Sequence, residues 1–243
     1  MKKYKLFIFI FGFGILLNSW ANTDILSNIL KGVFRQQDLI EEQIKDAIFL
    51  GRFYYVEINA KGDTVKAINS LRRIYSKDSD KQKSEYLEMT IDGKKLTEPQ
   101  IKKHTKNNQS NEKFKSPFYK RFRNDYDFVY HGEDPNAKVW TIGFNPKQKG
   151  KGYMKGTAQI SQIDFSIKQI QFLPTDLPFV VKNFNITLDY AKFGNYSLPS
   201  KFTLEMEIQV KVVLNLAHKF IKMQEIYSEY QFNNNLPDSI FGL

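Results

Sequence analysis

From Lys201 to Val213 the chain reads K-F-T-L-E-M-E-I-Q-V-K-V-V. Phe202, Leu204, Met206, Ile208, Val210 and Val212 fall on every second position, with Thr203, Glu205, Glu207, Gln209 and Lys211 between them. A period of two sends alternate side chains to opposite sides of an extended backbone, so the stretch predicts a strand with one apolar and one wet face. At about 3.4 Å per residue it would run roughly 40 Å, well beyond the common strand of about five or six residues. A strand of that length needs a broad antiparallel sheet beside it and something to cover its apolar side.

The same pattern recurs along the chain. Gly51 to Ile58, Val65 to Tyr75 and Ser84 to Ile91 read as strands of an antiparallel meander, joined by the turn signals Ala60-Lys61-Gly62-Asp63 and Lys77 to Lys81. Further on, Tyr126 to His131, Lys138 to Asn145, Tyr153 to Ile163, Ile167 to Leu173, Phe179 to Tyr190 and Leu216 to Phe232 alternate with loops marked by Gly132 to Pro135, Pro146 to Gly152, Pro174 to Pro178 and Gly194-Asn195. That makes about ten strands. A sheet this wide curls, and a curled sheet with one apolar face encloses a greasy concavity. Candidate covers are amphipathic helices: one capped by Asp24 with Ile25, Ile29, Leu30 and Val33 on one side, a second through Leu39, Ile40 and Ile44, and a short one opened by Thr97-Glu98-Pro99. Between Lys102 and Lys115 the polar, lysine-rich sequence predicts a surface loop within one domain.

The N-terminus changes the picture of where this domain works. Lys2, Lys3 and Lys5 precede the apolar run Leu6 to Leu17, and Asn18-Ser19-Trp20-Ala21 places small residues ahead of a cut after Ala21. A run of that length is short of the roughly 20 residues of a spanning helix. The expectation is a signal peptide over 1–21, a single domain over 22–243 and a periplasmic location. The chain has no cysteine, which excludes disulfides, thiol catalysis and a lipid-bearing cysteine. Its formal charge of +10 includes three lysines from the first 21 residues, so the mature chain carries +7. The local lysine density at Lys94-Lys95, Lys102-Lys103, Lys120 to Arg123 and Lys147 to Lys155 reads either as a solvated surface or as an attraction to anionic lipid headgroups or an acidic partner. No nucleic-acid-binding motif is present.

The second half of the chain resembles the LolA-type outer-membrane lipoprotein carriers and their divergent lipoprotein-sorting relatives. The residues that carry the resemblance are Phe128-x-Tyr130, Trp140-x-Ile142-x-Phe144-Asn145-Pro146-Lys147, Lys155-Gly156-x-Ala158-x-Ile160 with Asp164 after it, and Tyr190 followed by Gly194-x-Tyr196-x-Leu198-Pro199-Ser200-Lys201-Phe202. It covers roughly Asp125 to Phe232, and Tyr196 stands where such proteins often have tryptophan. The resemblance implies a mainly β (α+β) fold: a strongly curved, unclosed antiparallel half-barrel of about ten or eleven strands, with N-terminal and inserted helices covering its concave apolar face. It also implies a periplasmic carrier that takes acyl chains of lipoproteins or other lipids to the outer membrane, as a monomer, between an inner-membrane donor and an outer-membrane acceptor. For the lid arginine of the enterobacterial carrier, the sole candidate is Arg52, which reads more readily as a surface or rim residue.

Ten same-face positions are the candidates for lining an acyl-binding cavity: Trp140, Ile142, Phe144, Phe172, Phe184, Ile186, Leu188, Leu204, Met206 and Ile208. Ile29 and Val33 are the candidates for the lid. Burying one CH₂ contributes about 0.8 kcal/mol, so such a face binds acyl chains without specific polar contacts. Periodicity does not separate cavity lining from fixed core. The competing reading is a lipid- or lipoprotein-sensing regulatory domain that holds a partner protein in the envelope; an integral barrel fits poorly with strands of unequal length and N-terminal helices. No enzyme is expected, and no cofactor or metal: His104, His131 and His218 lack ligand spacing, no G-x-S-x-G or phosphate loop occurs, and Glu205 and Glu207 read as solubilising charges.

Overall fold

The structure, a computed structural model, describes residues 4–78, 81–105, 114–178, 180–212 and 215–242, with side chains described from residue 24 onward except 210–217. The first helix, α1, spans Tyr4–Gln43 without a break. Two helices were expected over its C-terminal part, the second through Leu39, Ile40 and Ile44; one helix runs through Leu39 and Ile40 and ends before Ile44. Tertiary contacts carry the helix through: Gln37 is buried and Asp38 is engaged by Arg123. The expected cut after Ala21 lies within the course of α1, among residues whose side chains, like residues 1–3 altogether, are outside the described set. Among the described residues no helix is long and apolar enough to cross a membrane.

Among the described residues eleven strands follow: β1 Asp46–Asn59, β2 Thr64–Lys77, β3 Lys81–Ile91, β4 Lys94–Lys95, then helix α2 Glu98–Thr105, and β5 Tyr126–Asp134, β6 Val139–Pro146, β7 Met154–Ser161, β8 Ile167–Pro174, β9 Val181–Phe193, β10 Tyr196–Val212 and β11 Asn215–Phe232. They form one antiparallel sheet in the order β4-β3-β2-β1-β11-β10-β9-β8-β7-β6-β5, open at β4 and β5. The half-barrel expected from the sequence is present. Two boundary shifts bear on the sheet. β10 begins at Tyr196, ahead of the alternating stretch. β5 runs on through Gly132 to Asp134, where a loop was expected, because a bulge at Tyr130/Gly132 puts Gly132 at φ +119°. The start of the expected strand at Phe179 and residues 106–113 of the expected loop lie outside the described residues.

The C-terminal tail locks the junction between α1 and β1. Asn233 accepts a hydrogen bond from the Lys45 N–H (2.9 Å) and donates one to the carbonyl of Gln43 (3.0 Å), satisfying an end of α1. The buried Asp46 carboxylate then accepts from the backbone N–H groups of Asn234 and Leu236. Lys77 closes the tail from the other side, donating to the Leu236 carbonyl (2.7 Å).

The main core lies between α1 and β5 to β10. Ile29 and Val33 of α1 share one buried cluster with Phe118, Ile142, Phe144, Ile160, Ile170, Phe172 and Ile186.

Candidate functional site

Strand register shows which side chains share the concave face. One row runs Phe128, Phe144, Gly156, Phe172, Ile186, Leu204, Met223, Tyr55, Ile68 and Ile91, from β5 to β3, with no charged residue in it. The row beside it runs Tyr130, Ile142, Ala158, Ile170, Leu188, Phe202, Glu225, Phe53, Ser70 and Met89. All ten sequence-predicted cavity residues fall on this face. They do not share one environment. Ile142, Phe144, Phe172 and Ile186 are buried under α1, and Trp140, Phe184, Leu188 and Leu204 pack at the margin of that cluster. Met206 and Ile208, farther along β10, are half-buried outside it.

What covers the face is α1 and a segment the sequence did not single out. Residues 114–123 fold into the concavity: the Phe114 ring stands edge-on to Phe172 at 5.4 Å, and the fully buried Phe118 ring stands 6.0 Å from Phe144. At the end of this segment Arg123, one of the residues expected on a solvated surface, is 15% exposed and forms a two-pronged ion pair with Asp38 of α1. Its guanidinium also lies over the Phe34 ring at 4.4 Å. Arg52, the candidate lid arginine, is exposed on the opposite, convex side, since its neighbours Gly51 and Phe53 take the concave face. It is a surface residue.

The seat of α1 is imperfect in hydrogen bonding. Gln37 Nε2, Glu41 Oε1 and Arg123 Nε are buried without a partner in the protein. Burial pushes the Glu41 carboxyl up, against the opposing hydrogen bond from the Lys120 backbone. Buried polar atoms without partners cost about 1–3 kcal/mol each.

Beside α1 opens a groove of about 590 Å³, within the span of about 300–1,000 Å³ common for small-molecule sites. Its floor is Ile25, Ile29, Gly32, Tyr130, Trp140 and Phe165; Asn28, Lys31, Arg35 and Glu133 stand at its rim. Phe165, at φ +57° in the β7–β8 turn, lays its ring on the backbone of Gly32 and 5.4 Å from Trp140. The turn is held by Asp164. Burial raises its carboxyl, but hydrogen bonds from Lys192, Ser166 and Ser161 outweigh that and hold it far below the usual carboxylate range. Burial, with Glu133 nearby, raises the Tyr130 hydroxyl.

Beyond α1 the concave face turns polar at two places, one where Lys219 pairs with Glu57, which also accepts from the Tyr55 hydroxyl (3.1 Å), and one around Arg72. Arg72 pairs with the buried Glu225, which also accepts from the Tyr227 hydroxyl (3.1 Å), and the guanidinium lies between the rings of Phe53 and Tyr86 at 5.7 and 5.6 Å. Ser70 Oγ, in the same row, is buried without a partner. On the convex side Glu205 faces Lys222 at 3.3 Å, as a solubilising charge would. Glu207 differs: it gathers Asn183, Gln209 and His218, so His218 is not isolated. Among the described residues no three His, Asp or Glu side chains come together as a metal site.

No protein-family model matches the chain, and no curated protein matches its sequence. Among solved structures it is similar to an outer membrane lipoprotein-sorting protein domain from Vibrio parahaemolyticus, at 12% identity and a TM-score of 0.40, over 88% of this chain and 97% of that one. It is also similar to a LolA superfamily protein from Nitrosomonas europaea (14% identity, TM-score 0.37, 88% and 96% covered). A third likeness is to the Pseudomonas aeruginosa MucA/MucB complex (7% identity, TM-score 0.24, 83% and 99% covered). Likenesses this distant do not set the function of the chain.

Proposed function

We propose that this protein is an exported, periplasmic carrier that holds the acyl chains of a lipoprotein or lipid on its concave face, with α1 as a displaceable cover. The observation that carries the reading is the mismatch between the apolar face and its cover. The row from Phe128 to Ile91 crosses the sheet, whereas the cluster under α1 takes in its β5 to β10 part alone. Met206, Ile208, Met223, Tyr55 and Ile68 stay half-buried. Lifting α1 would add Ile142, Phe144, Phe172 and Ile186 to that surface. The unpartnered polar atoms under α1 lower the cost of lifting it, since water would satisfy them once the helix moves. Acyl chains would then replace the helix against the sheet, at about 0.8 kcal/mol per buried CH₂.

Native mass spectrometry on protein purified from its host without detergent tests this. A bound mass equal to an acyl lipid or acylated peptide is the expected result. Protein that carries none, and takes up none when offered, overturns the carrier reading in favour of a domain that binds a protein partner.

A further inference from the structure

We infer that the groove beside α1 takes an amphiphile with an anionic, phosphate-bearing head, which Lys31 and Arg35 receive while its acyl part lies on Trp140, Phe165 and Ile29; this rests on the carrier reading above. Lys31 and Arg35 are four residues apart on α1, the spacing that stacks side chains on one helix face. Both line the groove, both are exposed, and among the described residues neither has an ion-pair partner. Two other cations near the cover are used internally: Arg123 by Asp38, and Lys192 by Asp164. Two unpaired cations over an apolar floor match an amphiphile, because the head gains charge-assisted hydrogen bonds at the rim while the chain leaves water below.

The one carboxylate at the rim, Glu133, sharpens the inference. It is held by the Gln162 side chain at 2.9 Å and stands on the strand side of the groove, opposite the two cations. It leaves the site with a net positive charge and opposes an anion. Removing it and removing the cations therefore have opposite signs.

The test uses the full chain carrying Trp20→Phe, which leaves Trp140, in the floor of the groove, as the one tryptophan. Dihexanoyl-phosphatidylglycerol, dihexanoyl-phosphatidylcholine and inorganic phosphate are titrated below micelle formation while Trp140 emission is read. The glycerol lipid should bind about tenfold tighter than the choline lipid, a ratio within reach of two rim cations. Lys31→Gln with Arg35→Gln should abolish that ratio and leave binding of the choline lipid unchanged. Glu133→Gln should raise it. Equal binding of both lipids by the parent, or a ratio that survives the double substitution, overturns the headgroup inference and leaves the carrier reading standing. Binding of neither lipid overturns both. Inorganic phosphate that competes with the glycerol lipid at equal concentration shows an anion site to which the acyl part adds nothing, and overturns the amphiphile inference while leaving the carrier reading to its own test. The substitutions are at exposed positions, and an unchanged thermal midpoint confirms the fold in each variant.

Discussion

The ring of Phe165 rests directly on the backbone of Gly32: a Cβ added at residue 32 would fall well inside contact distance of three of its ring carbons. Gly32 is where α1 touches the β7–β8 turn, and no larger residue lets the helix lie this close. In a helix, glycine costs up to about 1 kcal/mol relative to alanine, so Gly32→Ala would stabilise an unobstructed α1. Against Phe165 it should instead destabilise by about 1–3 kcal/mol, the usual range for overpacking. In a Phe165→Ala background the sign should reverse. Urea denaturation of the four proteins in the cycle checks this, and additivity would mean that the two residues do not meet.

Arg123 ties the inserted segment to the helix. Replacing it by glutamine leaves Asp38 without its cation and Phe34 without the guanidinium over its ring. The expected loss is about 1–3 kcal/mol, since both partners are mostly shielded from water. The more specific readout is hydrogen exchange: amides of α1 from Ile29 to Gln43 should exchange faster, while those of β1 and β2 stay unchanged.

Phe144 and Met206 separate fixed core from accessible face. Phe144→Ala removes a fully buried ring packed against Phe118 and should cost about 3–5 kcal/mol in stability. Met206→Ala, at a half-buried position outside the α1 cluster, should cost about 1 kcal/mol or less and show its effect in lipid retention. If Met206→Ala retains lipid as the parent does, the uncovered stretch of β10 is not part of the binding face.

That division was not legible in the sequence, although much around it was. Alternation along β10 and its neighbours put all ten candidate residues on one face, because strand register carries the period of two from one strand to the next. Which of them lie under a fixed cover depends on where α1 and residues 114–123 come to rest, and that is set by contacts distant in sequence. Phe118 sits in a stretch without periodicity, and Arg123 reads as one more surface cation until Asp38 is brought beside it. Phe165 adopts a positive φ that nothing in its local sequence announces. The break expected after Val33 failed for the same reason: Asp38 is unfavourable mid-helix by propensity, and an ion pair to a residue far along the chain outweighs that.

Acid should loosen the same turn. The Asp164 carboxyl is held below its ordinary value in the folded protein, so it contributes stability above the ordinary carboxylate pKa of about 4 and loses it as pH falls toward the depressed folded value. The stability difference between the parent and Asp164→Asn should therefore be constant from pH 7 to about 5 and shrink below about pH 4. A difference that persists unchanged to pH 2 would mean that the ionised carboxylate is not what holds the turn.

β11, the last strand of the chain, lies in the middle of the sheet, with β1 on one side and β10 on the other. The strands before it form two groups, β1 to β4 and β5 to β10, that pair with each other through β11 alone. A chain delivered from its N-terminus can thus complete neither the sheet nor the Asn233 and Asp46 lock until its final stretch has arrived. Joining the first strand to the last closes the longest loop the chain contains, a slow kind of step. Until then β1 and β10 each lack the partner strand that β11 supplies, and the two groups of strands stay unjoined.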